Sequence, residues 1–410
     1  MINDVKRVKD FNIQYVSGIW GDYSSEENDD GIFVLRSTEQ KLNGELNIIN
    51  PAYIKADYKS KNILREGDLL ITKSSGSKSH VGKCSYISKE VASCKYAFSN
   101  FMIGIRVKDR KLTPEYLYFC INSKLIKRQI ERNSMNVTLN NLNQNNISNW
   151  FIPFFSIDIQ KNIVNFLKNE IKIIDKKLKK YNKKIELLKE YKEALIYETV
   201  TKGLDKKSNI LWKAKRLKDI IYLNKGKAVE TVLEQINGYL PLIDTNYLRN
   251  RKDNIVYSKN GLYVKKNEVL VLWDGANSGE MFYNTNNGFL GSTFGVMKLK
   301  SKVNNSKFLF YYLKAFEKDI RKDIVGMGIP HVNGTKLKQR LIYIPPNNEQ
   351  NEIVNFLDKK TKEIDSEVKK LYKKIELIKE LKESIIYECV TGKLDIEKEG
   401  EKYQKIIESI

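Results

Sequence analysis

Cysteine, histidine and proline are scarce in this chain, and the first two scarcities exclude whole classes of site. Its 410 residues include 7 prolines, 2 histidines and 4 cysteines, and no two cysteines have C-x-x-C spacing. A zinc site needs clustered Cys and His ligands, and a disulfide framework needs regularly spaced cysteines. We therefore expect no metal site, and we expect four reduced cysteines: Cys84, Cys94, Cys120 and Cys389.

Sequence motifs that hold nucleotides or perform catalysis are also absent. There is no G-x-x-x-x-G-K-[ST] phosphate loop, no G-x-G-x-x-G and no H-E-x-x-H. Residues 74–79 (SSGSKS) resemble a phosphate loop in composition but contain one glycine. Pro345 and Pro346 lack the Asn and aromatic neighbours of the adenine methyltransferase motif. The sequence predicts a binding protein with no catalytic residue and no cofactor of its own.

Long apolar runs are missing as well. No run approaches the roughly 18 residues that a membrane-spanning helix needs. The first residues, MINDVKR, lack the basic region and apolar stretch of a secretory signal. We therefore expect a cytoplasmic protein.

One segment occurs twice in the chain, in two similar copies. Residues 160–205 and 350–395 align without a gap, and 27 of these 46 positions are identical. Lysine-rich composition alone does not produce such a match, so it indicates an internal repeat.

Each copy carries apolar residues at alternating steps of three and four, which is the pattern of a coiled-coil seam. The predicted seam of the first copy is Leu167, Ile171, Ile174, Leu178, Tyr181, Ile185 and Leu188. That of the second is Leu357, Ile364, Val368, Leu371, Ile375 and Ile378, with Thr361 between the first two. Neither copy has Gly or Pro before Gly203 or Gly392, so each is predicted to form one helix about 60 Å long. We expect the two seams to pair. The alternative is that each helix packs only on its own domain, but helices that do so usually show a wider apolar face.

The segment before the first helix and the segment between the two helices each have the size of a domain. Three short sequence similarities, or echoes, connect these segments. Residues 6–10 (KRVKD) resemble 215–219 (KRLKD), residues 67–71 (GDLLI) resemble 267–271 (NEVLV), and residues 116–119 (YLYF) resemble 308–311 (FLFY). The duplicated unit is therefore predicted to be a globular domain followed by a long helix, with domains that have diverged while the helices have not.

A formal net charge of +22 favours a polyanionic partner. Lysine or arginine that neutralises phosphate releases counterions, so nucleic acid is the first candidate. An anionic membrane surface is the alternative, but the basic residues do not form one amphipathic face. Abundant Lys, Ile and Asn is also typical of AT-rich genomes, so part of the excess carries no function.

Short motifs around the repeats resemble those of specificity subunits of type I DNA restriction-modification systems. They are residues 342–346 (IYIPP), 349–350 (EQ), 353–357 (IVNFL) and 390–395 (VTGKLD) in the second unit, and 200–205 (VTKGLD), 212–213 (WK) and 216–219 (RLKD) after the first helix. The first unit departs from this pattern: it has Phe154-Phe155 and Ile159-Gln160 where the second has Pro345-Pro346 and Glu349-Gln350, and it keeps only Pro153 and Gln160.

The resemblance implies an α+β fold of two similar globular α/β target-recognition domains in tandem, each followed by a long helix, with the helices paired as an antiparallel coiled coil. The implied boundaries are 1–158 for the first target-recognition domain, 159–201 for the central helix, 202–212 for a linker, 213–347 for the second domain, 348–392 for the C-terminal helix and 393–410 for a tail.

The resemblance also implies a DNA-binding function. Each domain would read one half of an asymmetric bipartite target in double-stranded DNA, with a spacer set by the coiled coil. It implies two methyltransferase subunits, which use S-adenosylmethionine, and optionally two restriction subunits, which use ATP and magnesium. Two alternatives stay open: a solitary or decoy DNA-binding adaptor, and a coiled-coil scaffold for protein assembly without DNA readout.

DNA-reading residues are expected in polar loops at matching places in the two domains, because Asn and Gln pair with adenine while Arg and Lys pair with guanine or phosphate. The candidates in the first domain are Lys73, Ser75, Ser77, Lys78, His80, Lys83, Asn136, Thr138, Asn140, Asn141 and Gln144. The candidates in the second are Trp273, Asn277, Ser278, His331, Asn333, Thr335, Lys336, Lys338 and Arg340. For each residue the alternative is an ordinary solvated loop or a helix cap. One hypothesis is that Arg340→Ala weakens DNA binding without unfolding the domain.

Side chains near the helix ends, outside the seam and expected to be exposed, are candidates for docking methyltransferase helices. They are Tyr191, Leu195, Tyr197, Leu381, Ile385 and Tyr387. The alternative is that these residues pack on the neighbouring domain.

Overall fold

The structure is a computed structural model that describes residues 4–23, 31–41, 43–56, 58–76, 80–134, 141–205, 212–251, 254–300, 305–326 and 328–409. Contacts divide the chain into two compact units, residues 1–181 with 372–410, and residues 182–371. Both divisions fall inside the long helices, so each unit contains one domain and one half of each helix.

The first domain contains ten strands and four α-helices in the part of the chain that is described. The strands are β1 Asp4–Arg7, β2 Ile13–Ser17, β3 Asp22–Tyr23, β4 Gly31–Leu35, β5 Ala52–Lys55, β6 Leu69–Thr72, β7 Cys84–Tyr86, β8 Ala97–Phe98, β9 Met102–Val107 and β10 Phe151–Phe154. The helices are α1 Lys89–Ser93, α2 Pro114–Asn122, α3 Lys124–Ser134 and α4 Gln144–Ser148, followed by the long helix α5 Ile157–Lys202.

The second domain also contains ten strands in the part of the chain that is described, with short helices at partly different places. Its strands are β11 Lys213–Arg216, β12 Ile221–Lys225, β13 Leu240–Ile243, β14 Tyr257–Ser258, β15 Tyr263–Val264, β16 Val269–Leu272, β17 Met281–Tyr283, β18 Gly288–Leu290, β19 Phe294–Leu299 and β20 Leu341–Ile344. Its helices are α6 Leu217–Ile220, α7 Thr245–Leu248, α8 Ser306–Ala315, α9 Glu317–Lys322 and α10 Gly334–Gln339, followed by the long helix α11 Asn347–Val390 and a last helix α12 Ile396–Ser409.

The sheets of the two domains correspond almost strand for strand. The orders β2-β9-β6-β7 and β12-β19-β16-β17 match, and the two-stranded pairs β1-β10 and β11-β20 match. The remaining sheets are β3-β5-β4-β8 and β14-β13-β18-β15, which share a parallel pair but differ in their edge strand. The domains are therefore one duplicated fold that diverged at a sheet edge.

The echo at residues 67–71 and 267–271 is a shared turn before a buried strand. Gly67 has φ +80° and Asn267 has φ +71°, a left-handed conformation that glycine and asparagine tolerate best. The next carboxylate closes the turn in both domains: Asp68 accepts from Arg65 N at 2.8 Å, and Glu268 accepts from Lys265 N at 2.9 Å. This turn requires Gly or Asn followed by an acidic residue, and both copies keep that pair.

A buried glutamine links each long helix to its domain. Gln160 and Gln350 are 0% and 1% exposed. The Oε1 atom of Gln160 accepts from Thr113 N at 2.9 Å, and that of Gln350 accepts from Asn305 N at 2.7 Å. Thr113 and Asn305 are the N-caps of α2 and α8, the helices that carry the third echo. Each Nε2 atom donates to a preceding backbone carbonyl, Phe155 O or Pro345 O, at 2.9 Å.

The two long helices run antiparallel in each unit. In the first unit, Lys382 Nζ lies 2.6 Å from Asp175 Oδ1, and Lys374 Nζ lies 5.9 Å from the ring centre of Tyr181. In the second unit, Lys192 Nζ lies 2.7 Å from Asp365 Oδ2, while Ile196 shares a core with Leu357. Residue numbers rise on one helix as they fall on the other, as an antiparallel pair requires.

The residues of the predicted seam share the buried side of each long helix. Every seam residue is buried or half-buried, and the residues between them are largely exposed. Leu167 and Ile174 join the core of the first unit together with Ile378, and Leu357 joins that of the second.

The side chains predicted to dock partner helices divide into two groups. Ile385 is fully buried in the core of the first unit, so the prediction that it is exposed was wrong. Tyr197 packs against Phe316 with ring centres 5.5 Å apart, and Tyr387 lies beneath Arg128. Tyr191 is exposed. Most of this set contacts the neighbouring domain.

The predicted tail contains the helix α12, which packs within the first unit. Gln404 Nε2 donates to Glu170 Oε1 at 2.9 Å, the Tyr403 hydroxyl donates to Glu388, and Ile407 is buried. Among the described residues, no helix is long and apolar enough to cross a membrane.

We predict that Gln350→Leu loosens the start of α8 and that Gln160→Leu loosens the start of α2. Each substitution leaves a partly buried backbone N–H and a buried carbonyl without these partners, so the free energy of local opening should fall by about 1–3 kcal/mol. Native-state hydrogen exchange of residues 305–309 and 113–117 measures this change. The exposed Gln235→Leu is the control, and unchanged exchange in the buried variants would contradict the assignment.

Candidate nucleic-acid interface

The two polar segments predicted in the first domain meet where β6 ends. Lys73 N and Ser74 N both donate to Phe101 O, at 3.0 and 3.2 Å. Leu142 N donates to Lys73 O at 2.7 Å, and Ser74 forms an antiparallel bridge with Asn141. Backbone hydrogen bonds therefore hold the two loops side by side.

The second domain builds the same junction where β16 ends. Trp273 N and Asp274 N donate to Thr293 O at 2.7 and 3.3 Å, and Val332 N donates to Trp273 O at 2.9 Å. Asp274 forms an antiparallel bridge with His331. The hydrogen bonds match those of the first domain one for one, so Lys73, Ser74, Phe101 and Asn141 correspond to Trp273, Asp274, Thr293 and His331.

A short helix leaves each junction behind an asparagine cap. Asn143 Oδ1 accepts from Asn146 N at 2.9 Å, and Asn333 Oδ1 accepts from Lys336 N at 3.0 Å. Leu142 and Ile147 are buried on one side of the first cap and its helix, as Val332 and Leu337 are in the second. This fourth echo, an apolar residue and Asn followed four positions later by an apolar residue, was readable in the sequence but is too short to find without the structure. It gives Asn333 a structural role as a cap.

The predicted residues differ widely in exposure. Asn141, Gln144, Asn277, His331, Thr335, Lys336 and Lys338 are exposed; Lys73, Ser75, His80, Trp273, Asn333 and Arg340 are half-buried. Ser77, Lys78, Asn136, Thr138 and Asn140 lie outside the described residues.

Lys83 and Ser278 are inside the protein, contrary to a role in contacting a ligand. Lys83 Nζ donates to Gln40 O at 2.6 Å, and burial lowers the pKa of this ammonium group. Ser278 is fully buried in the turn where its N–H donates to Gly275 O at 2.9 Å. Neither side chain reaches the surface of its junction.

Two carboxylates occupy the basic surface of the second domain. Lys225 Nζ lies 2.7 Å from Asp274 Oδ2, while Lys336 Nζ and Arg340 Nη2 lie 3.1 and 2.9 Å from the two oxygens of Asp323. The hydrogen bond from Lys336, with that from Arg340, lowers the pKa of Asp323. Arg340 Nη2 also donates to Asp319 O at 2.8 Å, so its guanidinium group is part of the domain's own network.

A family model described as the type I restriction modification DNA specificity domain matches residues 17–188 and 209–377. The chain belongs to this family. Each match covers one domain and most of the helix that follows it.

Relatives of the family agree with this assignment. The chain is 31% identical over 183 residues to the type I restriction enzyme MjaVIII specificity subunit of Methanocaldococcus jannaschii, an alignment that spans 44% of this chain and 42% of that relative. A chain from a structural study of complex assembly and conformational transition of the type I R-M system has TM-score 0.74 and 15% identity, with 95% of this chain and 98% of that chain covered. The HsdS subunit from Thermoanaerobacter tengcongensis has TM-score 0.54 and 16% identity, with coverage of 95% and 97%. Both structural matches show a shared fold.

We predict that Arg340→Ala lowers the stability of the second domain, which changes the expectation from the sequence. The substitution removes hydrogen bonds to Asp319 O and Asp323, and it should cost about 1–2 kcal/mol. The matched control is Lys338→Ala on the helix α10 that ends just before Arg340. The exposed side chain of Lys338 should affect stability by less than about 0.5 kcal/mol, while its loss weakens DNA affinity. Thermal unfolding and DNA titration of both variants measure this. Wild-type stability of Arg340→Ala together with weakened DNA binding would contradict this prediction and support a direct DNA contact by Arg340.

Proposed function

We propose that this chain is the non-catalytic DNA specificity subunit of a type I restriction-modification complex. Each domain reads one half of a bipartite target through the junction where its two polar loops meet. The observation that carries the proposal is that the two junctions have the same backbone hydrogen bonds and different side chains. Equivalent scaffolds with different surface chemistry are what two unlike half-sites require.

The side chains at matched positions support an asymmetric target. Lys73 occupies the position that Trp273 has in the second domain. Likewise, Ser74 corresponds to Asp274 and Asn141 to His331. Asparagine pairs well with adenine, whereas a carboxylate accepts from the amino group of cytosine. The two domains are therefore expected to prefer different bases.

The antiparallel helices supply the spacer in this proposal. An antiparallel pair of equivalent helices presents duplicated domains to a duplex as a two-fold dimer would. The spacer between half-sites is then about one helical turn of DNA from centre to centre.

The partners in this proposal are two methyltransferase subunits, which bring S-adenosylmethionine, and optionally two restriction subunits, which bring ATP and magnesium. The chain itself binds none of these small molecules and acts in the cytoplasm. A solitary or decoy adaptor with the same fold differs only in lacking a cognate restriction subunit. A protein scaffold without DNA readout gives no reason for two matched polar junctions.

We predict that co-expression of this chain with its methyltransferase subunit adds one asymmetric methylation motif of two short half-sites around a fixed spacer. Single-molecule methylation mapping detects it, and cells that lack this chain are the control. Exchange of residues 1–158 for those of another family member should change one half-site and leave the other. A stable complex with an active methyltransferase but no new motif would count against the function.

We also predict a steep dependence of duplex affinity on salt. The logarithm of the association constant should fall with slope about −0.9 per neutralised phosphate. A titration between low and physiological salt measures the slope. A duplex affinity that does not change with salt concentration would favour the alternative of a protein scaffold without DNA readout.

A further inference from the structure

Two large aromatic side chains of the first domain point into solvent beside the junction of its polar loops. Trp20 is 70% exposed and Phe101 is 47% exposed, and their ring centres lie 6.3 Å apart at 67°. Leaving such rings in water forgoes the stabilisation of burial, so a paired exposure calls for a binding role.

The backbone beneath the pair is held firmly. Ile19 N donates to Phe98 O at 2.9 Å, and Asn100 N donates to Ile19 O at 3.0 Å. Ile19 and Met102, the neighbours of the two aromatic residues in the chain, are buried. The rings are therefore presented on a rigid support.

The pair is continuous with the proposed DNA-reading surface. Phe101 O is the acceptor for both Lys73 N and Ser74 N, and Ser74 is bridged to the exposed Asn141. A ligand that contacts Asn141 and the loop at Lys73 therefore meets the two rings at the same edge. Aromatic faces stack on any base, and apolar side chains can wedge between base steps of a duplex.

The second domain has no such pair at the corresponding place. Thr293 stands where Phe101 stands, since it accepts the equivalent hydrogen bonds. The aromatic residue of the second junction, Trp273, is half-buried against Gly295 and Gly334; a Cβ at Gly334 would lie 2.8 Å from its ring. The exposed pair is thus a difference between two otherwise matched junctions.

We propose that Trp20 and Phe101 form an apolar wedge that stacks against a base step in the half-site read by the first domain. The inference rests on the proposed function and deepens it, since it assigns to one half-site a contact that is independent of hydrogen-bonded base readout. The second half-site is read without such a wedge.

The test uses the complex with its methyltransferase subunit and a duplex that carries the methylation-mapped target. Trp20→Ala and Phe101→Ala should each weaken affinity about tenfold, and Trp20→Phe should retain most of it. Tyr222→Ala is the matched control, because this tyrosine of β12 in the second domain is equally an exposed aromatic. Its affinity should equal that of the wild type.

Two further readouts locate the contact. Trp20→Ala should leave affinity unchanged for a duplex truncated to the half-site of the second domain, and should weaken it about tenfold for a duplex truncated to the half-site of the first domain. The fluorescence intensity of a 2-aminopurine placed in that half-site should rise when the wild type binds. It should stay low with either Ala variant.

Intrinsic fluorescence gives an independent check, because Trp20 is the most exposed of the four tryptophans. DNA should protect wild-type fluorescence from acrylamide quenching, and Trp20→Phe should lose most of that protection.

The outcomes separate this inference from the function beneath it. A wild-type complex that methylates a bipartite motif, together with Ala variants of unchanged affinity and 2-aminopurine signal, would overturn the wedge alone. Loss of the methyltransferase subunit from the Ala variants would also overturn it, by showing a protein contact. A wild type without any bipartite motif would overturn both.

Discussion

The structure depends on a buried amide at the first turn of each long helix. Gln160 and Gln350 accept from the N-caps of α2 and α8 and donate to the carbonyl oxygens of Phe155 and Pro345. Because the acceptors of the Nε2 atoms are backbone atoms, the flanking side chains were free to change from Phe to Pro while the glutamine was kept. The direction of each helix is thereby tied to the domain that precedes it. Loss of this link would leave buried polar groups unpaired, which costs more than a surface contact.

The two duplicated domains have kept the same backbone geometry, while the identities of their surface side chains have diverged. Both domains use the same turn before the buried strand, the same junction of polar loops and the same asparagine cap. At the surface of that junction the matched residues differ in charge, size and hydrogen-bonding capacity. Reading two unlike half-sites with one fold, as proposed for this chain, needs this separation, because the scaffold has to stay rigid while the reading surface changes.

Net charge alone is a poor guide to where DNA binds. Lys83 adds to the formal charge of +22, yet its ammonium group is buried in the first domain and donates to Gln40 O. Lys336 and Arg340 are partly neutralised by Asp323. The exposed residues around the junctions, including Lys338, Asn141 and His331, are a more specific description of the surface than the charge of the whole chain.

The internal repeat, the two long helices with their seams, and the family could all be inferred from the amino-acid sequence, because they follow from local periodicity and from similarity along the chain. The sequence could also place the polar loops roughly, through glycine, asparagine and lysine content. Which of those residues share a surface depends on how the chain folds in three dimensions. The partner of Lys83 is Gln40, the partner of Lys73 is Leu142, and Phe101 joins the loop through its carbonyl oxygen. These contacts link residues tens of positions apart, and burial and exposure are properties of such distant neighbours, which no local pattern records.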